Sequence, residues 1–401
     1  MSAIRNVLLG PWRAVLVLGV TQIFAWGALF YPPVLTIPLI AADHGWSKTF
    51  AMAGFSLGLL TAGLVAPRIG AAIDRFGGHF VMPIGSLVGA AGLVGLVHAA
   101  TPLTYLLVWA VLGAAMAAGL YDPAFATLGR IFGTRARPAI TALTLAGGFA
   151  STVSWPVTHF LIGTIGWRGA YLFYAAALAL IAAPLHAFAL PRERAEPKRH
   201  LDAPALSAPV VFHPPRGIVF VLVAAAFASY AFVPSALSAH LLAVFQRFGI
   251  EAGAAVAVGT LFGPSQVAAR VVEFVFARNV NPLFIAQFAV GLLVAAFALM
   301  AVAGLSVTIA AIFVIMFGAA NGLITIARGT LPLSLFGATG YGKLIGRIAG
   351  PALTMQALAP LALAFVAERL SDAAALGVAA GFAAVAFACF LAIRLRRLPP
   401  Q

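Results

Sequence analysis

The chain is a succession of long apolar runs, and that feature leaves few folds open to it. A run of roughly 20 apolar residues is long enough to cross a bilayer core as a helix. Twelve can be read, near residues 14–38, 48–72, 79–99, 104–128, 138–164, 169–190, 217–244, 253–276, 283–304, 307–328, 344–366 and 373–394. Of the 401 residues, 63% are hydrophobic and 8% are charged. A soluble chain averages about a quarter charged residues, so water could not solvate a fold with this composition. The expected class is an all-α membrane protein with 12 transmembrane helices. Gly and Pro recur inside the runs, which membrane helices tolerate because neighbouring helices satisfy the freed backbone groups.

The net charge of +14 would suggest nucleic acid in a soluble protein. Its distribution argues otherwise. With the N-terminus inside, the outer side keeps only Lys48, Arg168, Arg247 and Arg369. The inner side collects the rest of the loop charges, among them Arg75, Arg130, Arg135, Arg137, Arg278, Arg328, Lys343, Arg347 and Arg394. By the positive-inside rule both termini are expected in the cytoplasm, in a multi-pass protein of the cell inner membrane. No nucleic-acid partner is expected. The single Cys389 offers neither an internal disulfide nor a metal site. The first apolar run is too long for a secretory leader, so no cleaved leader is expected.

One connection is long, polar and Pro-rich, PRERAEPKRHLDAPALSAPVVFHPPRG, while the others span a few residues. It divides the chain into an N-terminal six-helix bundle, 1–190, a cytoplasmic linker, 191–216, and a C-terminal six-helix bundle, 217–401. Two equal helical repeats are how many secondary transporters are built. No phosphate-cradling loop, metal-ligand cluster or nucleotide domain is visible, so neither an enzyme nor a cofactor is expected. Transport without an ATP site implies a secondary mechanism, as a symporter or an antiporter, and a monomer is expected.

After the second run comes GAAIDRFGGH, Gly70 to His79. Asp74 and Arg75 begin a tight turn that Gly77 and Gly78 permit. The order Gly-x-x-x-Asp-Arg-x-Gly, placed after run two, resembles the signature loop of the major facilitator superfamily. The resemblance implies that Asp74, with Arg75, acts in the inner gate near the start of helix eleven. The stretch HGWSKTFAMAGFSLGLLTAGLVAPRIGAAIDRFGGH is similar to the oxalate and monocarboxylate branch of that family. Drug antiporters carry an arginine in helix four, where this chain has Trp109, and Gly-Pro-x-x-Gly-Gly in helix five, where it reads GGFASTVSWPVTHF.

The stretch SQVAARVVEF holds two charges inside run eight. If the halves repeat, EFVFARNVNP aligns with GAAIDRFGGH, which sets Glu273 opposite Gly70 and Arg278 opposite Arg75. At 1.5 Å per residue, Glu273 then lies roughly 7 Å and Arg270 roughly 12 Å from the inner surface. Arg270 is thus expected near the midplane and Glu273 at the inner gate. An arginine at that depth costs on the order of 3 kcal/mol and must meet water or a partner. Members of the oxalate and monocarboxylate branch carry a helix-eight arginine that meets the substrate carboxylate, and a guanidinium fork suits that task. The alternative is an arginine held by a protein carboxylate or by carbonyls. Gln266 stands where proton-linked relatives have an aspartate. Lys343 and Arg347 lie at the start of run eleven rather than deep within it, so no second deep cation is expected; this argues against a small dianion and leaves a monoanion or a larger molecule with one acidic group.

Further candidates lie in other runs and in runs one and five, which the resemblance implies line the cavity. Asp122, beside Pro123, is a partner for Arg270 between substrates or the carrier of a coupling proton; the alternatives are a pair with Arg130 or a capped kink. His240 and His159 titrate near neutral pH and suit proton coupling, or pack silently. Trp26, Tyr31 and Trp155 can form an aromatic wall for cargo or simply pack helices. Asn321 and Gln356 are polar residues that bind substrate or join helices. The leading reading is an alternating-access transporter of an organic anion, a monocarboxylate held by Arg270. The alternatives are a carrier of a larger aromatic solute, such as a vitamin-like heterocycle or drug, and a membrane sensor without flux.

Overall fold

The computed structural model describes residues 10–192 and 217–395. Of the proposed linker, residues 193–216 fall outside the described residues. Among these residues the chain is helical throughout and holds no strand. Crossing one is α1 (Arg13–Leu29) with α2 (Pro33–His44); crossings two and three are α3 (Lys48–Phe76) and α4 (Gly78–His98). Crossing four is broken into α5 (Pro102–Gly119) and α6 (Tyr121–Phe132). Crossing five begins as α7 (Arg137–Gly148) and continues into α8 (Ala150–Ala177). Crossing seven is α9 (Ile218–Arg247), and eight is α10 (Ala252–Thr260) with α11 (Phe262–Phe276). Crossings nine to twelve are α12 (Pro282–Ala303), α13 (Val307–Phe336), α14 (Tyr341–Arg369) and α15 (Asp372–Leu395).

Eleven helical stretches among these residues are long and apolar enough to span a membrane. One of them, Arg137–Ala189, is 53 residues long. Straight, it would run about 80 Å, more than twice a bilayer core. It instead reverses at Gly166, whose φ of 72° and ψ of 172° are open to glycine. That stretch supplies crossings five and six, which gives the twelve crossings expected from the apolar runs. Exposed Leu64, Leu180 and Phe188 stand on the outer faces, where acyl chains cover them.

Local chemistry sets the helix starts. Ser47 accepts the Phe50 N–H at 3.1 Å, Ser306 the Ile309 N–H at 3.3 Å, and Asn281 the Leu283 N–H at 2.9 Å. Thr101 and Thr104 form a reciprocal capping box around Pro102, the first residue of α5. An even number of crossings places residues 10, 192, 217 and 395 on one face, the terminal face; the other is the distal face. A buried apolar cluster joins both halves on the terminal side through Phe125, Ile140, Leu331 and Tyr341, and runs on through the second half to its distal end. A second, chiefly of the first half, holds Leu93, Tyr105, Trp109 and Tyr171.

Candidate functional site

The two halves meet along seams at the terminal side. In the first, α3 lies against α14. A Cβ at Gly70 would collide with the Gly342 backbone, and one at Gly342 would stand 2.7 Å from the Asp74 carboxylate. This approach leaves the first amides of α14 facing Asp74. Its Oδ1 accepts from the Gly342 N–H and its Oδ2 from the Lys343 N–H, each at 2.8 Å. The carboxylate satisfies donors that any helix start leaves free, and its charge meets the positive end of the helix dipole. Arg130 braces the turn by donating to the carbonyls of Ile73 and Asp74. Arg75 lies outside this contact, its guanidinium 5.0 Å from the ring centre of Phe76.

The second seam joins α7 to α11. Arg137, the first residue of α7, donates Nη2 to Glu273 Oε1 and to the Ala277 carbonyl, each at 3.1 Å. Its Nη1 donates to the Val280 carbonyl. Glu273 is 1% exposed, yet its Oε2 and the Arg137 Nε have no partner. The residue expected at the inner rim is thus one half of an ion pair between the halves.

Deeper in, Arg328 Nη2 donates to Asp122 Oδ2 at 2.7 Å. This corrects two expectations. Asp122 pairs with neither Arg270 nor Arg130. Arg328 is not a rim charge, because α13 runs eight residues beyond it to Phe336, roughly 12 Å. A second deep cation therefore exists, and Asp122 neutralises it. Asp122 Oδ1 and Arg328 Nε are buried without partners.

Arg270 is 2% exposed and sits where crossings five, eight and ten converge. Its Nη1 donates to the Thr144 carbonyl at 2.8 Å, and its Nε makes a long 3.4 Å contact with the Gly322 carbonyl. The lack of a side chain at Gly148 makes room for it: a Cβ there would stand 2.5 Å from Nη1. The charge reaches the hydroxyls of Tyr31, Tyr121 and Tyr230. Among the described residues, no carboxylate forms an ion pair with Arg270. It is a buried cation held by neutral oxygens, the carbonyl alternative allowed by the sequence.

The other candidates divide between this centre and its surroundings. Asn321 joins it through Tyr230, whose hydroxyl donates to Oδ1 at 3.3 Å. Trp26 packs on Tyr121 at 5.0 Å and Tyr31 at 5.9 Å. Trp155 lies beyond Tyr31 at 6.5 Å and lines a cavity of about 500 Å³ between α2 and α8, with Ser151 and His159. Ser151 is three residues past Gly148, so the cavity floor is about one helical turn from Arg270. Gln266 packs its backbone under Gly322. His240 contacts the Pro360 carbonyl at 3.0 Å, joining α9 to α14 away from Arg270. The Gln356 carbonyl accepts from Ser235 at 2.6 Å. Sequence reasoning did not single out Gln22, Tyr121, Arg137, Tyr230 or Arg328 as site residues; a polar side chain inside an apolar run was the available signal.

Among the described residues, every hydrogen bond and ion pair between the halves lies level with Arg270 or on its terminal side. The terminal face is closed, and the cavity lies on the distal side. A buried charge between the halves thus has the contacts between the halves level with it or on its terminal side, and a cavity toward the distal side.

The sequence model of the Major Facilitator Superfamily matches residues 15–350. The chain belongs to the Major Facilitator Superfamily. It is a multi-pass membrane transporter, and not an enzyme, and it acts on small molecules. Mouse monocarboxylate transporter 11 is 30% identical over 137 residues, 34% of this chain and 29% of that protein. The chain thus spans under a third of that relative's length. The human organic anion transporter MFSD10 (TETRAN) superposes with a TM-score of 0.70 at 17% identity, covering 95% of this chain and 99% of that one. A bacterial homologue of the iron transporter ferroportin, in an outward-facing state with soaked iron, superposes with a TM-score of 0.71 at 12% identity and the same coverage. These two show that the superfamily's fold is shared.

Proposed function

We propose that this transporter carries a small organic monoanion, a monocarboxylate, and that Arg270 is its carboxylate contact. The observation that carries the reading is a guanidinium buried between the halves with no carboxylate partner among the described residues. A buried charge is costly unless it is paired. Carbonyls solvate it while the site is empty, and an entering carboxylate offers two oxygens in the geometry of the guanidinium fork. The neighbouring cation, Arg328, is already balanced by Asp122, so one negative charge is what the centre needs. The partial likeness to a monocarboxylate transporter and the fold shared with an organic anion transporter agree with this choice.

In the same reading the terminal face is cytoplasmic, because basic loop residues gather there. The cavity then opens to the outside of the cell inner membrane. The terminal contacts of Asp74, Glu273 and Asp122 form the inner gate, and a proton on one of these carboxylates is the candidate coupling ion.

Uptake of labelled monocarboxylates into proteoliposomes tests the anion reading. Arg270→Ala should abolish uptake while the protein remains folded, and Arg270→Lys should retain a fraction, since an ammonium keeps the charge but not the fork. Full uptake by Arg270→Ala would end this reading. A second reading, transport of a larger aromatic solute, draws on the cavity beside Trp155. It predicts flux of flat uncharged solutes that Arg270→Ala spares and Trp155→Ala reduces.

A further inference from the structure

Crossing four is interrupted where its backbone would otherwise run on. Leu120 adopts φ −85° and ψ −156°, so α5 stops at Gly119 and α6 starts anew at Tyr121. The cause lies one turn on. A helical Gly119 carbonyl would accept from the amide of residue 123, which is Pro123 and has no N–H. The carbonyl instead accepts from a side chain of another crossing. Gln22 Nε2, in α1, donates to it at 2.7 Å.

The other end of that amide is also committed. Gln22 Oε1 accepts the Trp26 indole N–H at 3.0 Å. An indole can only donate and a carbonyl can only accept, so the two contacts together allow one orientation of the Gln22 amide. Gln22 is fully buried, and its bond to the Gly119 carbonyl is buried with it. Trp26 packs in turn on Tyr121, the first residue beyond the break, at 5.0 Å. Tyr121 stacks on Phe125 with 6° between the ring planes. The ring facing the cargo centre and the turn carrying Tyr121 and Asp122 are thus tied at one point.

We propose that Gln22 is a positioning residue that sets the cargo specificity of this transporter. It holds the Trp26 ring against the break in crossing four, so that ring and break move as one wall. This rests on the proposed cargo reading for its effect on transport. The body of the cargo, rather than its carboxylate, is what this wall selects. Without Gln22 the indole has no acceptor, and the Gly119 carbonyl is left buried and unpaired.

The test uses the full-length protein labelled with 5-fluorotryptophan, the Trp26 resonance being assigned by its loss in Trp26→Phe. Gln22→Met keeps the side-chain volume and removes both bonds; Gln22→Glu keeps the indole acceptor. The Trp26 resonance should shift or broaden in Gln22→Met and stay near its original position in Gln22→Glu. In proteoliposomes, Gln22→Met should raise the KM of phenylacetate about tenfold while leaving the KM of acetate and both maximal rates within about twofold. Adding Pro123→Ala restores a donor for Gly119 and should recover thermal stability without restoring the Trp26 resonance. An unmoved resonance in Gln22→Met, or equal KM increases for both acids, would overturn the proposal. If Gln22→Met fails to accumulate, a Trp26 resonance displaced in Gln22→Glu as far as an indole lacking its acceptor overturns it, and one retained supports it. If wild-type protein carries neither acid, the cargo reading fails while the resonance still decides the role of Gln22.

Discussion

The two seams of the terminal gate occupy corresponding places in the two halves, yet they are closed by different physics. Between α3 and α14 the backbones touch through Gly70 and Gly342, and Asp74 caps the facing helix with both oxygens satisfied. Between α11 and α7 the position matching Gly70 is Glu273, which pairs with Arg137 and leaves an atom of each partner unsatisfied. Backbone packing gains dispersion and leaves no charge stranded when it is tight. A buried ion pair sets Coulomb attraction against desolvation and is close to balanced. The comparison teaches that the Gly-lined seam is the firmer of the two; under the proposed cargo reading, the seam beside Arg270 is the one that parts when an anion arrives.

The largest effect that would break this comparison is expected at Glu273. Glu273→Ala leaves the part-buried Arg137 without its carboxylate and should destabilise the closed gate by about 3 kcal/mol. Replacing both partners, Arg137→Gln with Glu273→Gln, should recover most of that loss, read by thermal melting in detergent. Equal losses for the single and double variants would mean that the two side chains are not coupled. A smaller effect is expected from Gly342→Ala, about 1–3 kcal/mol, because the added methyl meets backbone that cannot rotate away. An unchanged melting temperature would show that the backbones are not in contact. The smallest is Asp74→Asn, which keeps one acceptor and loses the charge opposite the helix dipole, costing about 1 kcal/mol. Cysteine labelling at the terminal mouth should rise modestly in that variant; labelling as strong as in Glu273→Ala would reverse the ranking of the seams.

Much of the fold was legible in the chain because lipid imposes a simple rule. An apolar run long enough to cross must form a helix, and GAAIDRFGGH marks the turn after run two. The depth of Arg270 followed from rise per residue, and the structure buries it where crossings five, eight and ten meet. Partners were not legible in the same way. Asp122 and Arg328 are 206 residues apart, and their meeting depends on how α6 and α13 face each other across the halves. The extent of α13 was misjudged because run ten continues past Arg328 through Gly-Thr-Leu-Pro-Leu, and an arginine in such a run marks its end only if nothing neutralises it. A kink was expected beside Pro123, and the chain breaks there, at Leu120. The donor that repairs it sits 97 residues earlier and carries no local signature.

The central claim is that the uncompensated charge of Arg270 is the anion site, and calorimetric binding to purified protein tests it most directly. A carried monocarboxylate and its uncharged amide are titrated into wild-type protein and into Arg270→Gln. The account predicts that wild-type protein prefers the acid by about tenfold or more, the value of one charge-assisted fork, and that Arg270→Gln loses the preference. Wild-type affinity for the acid retained in Arg270→Gln would contradict it.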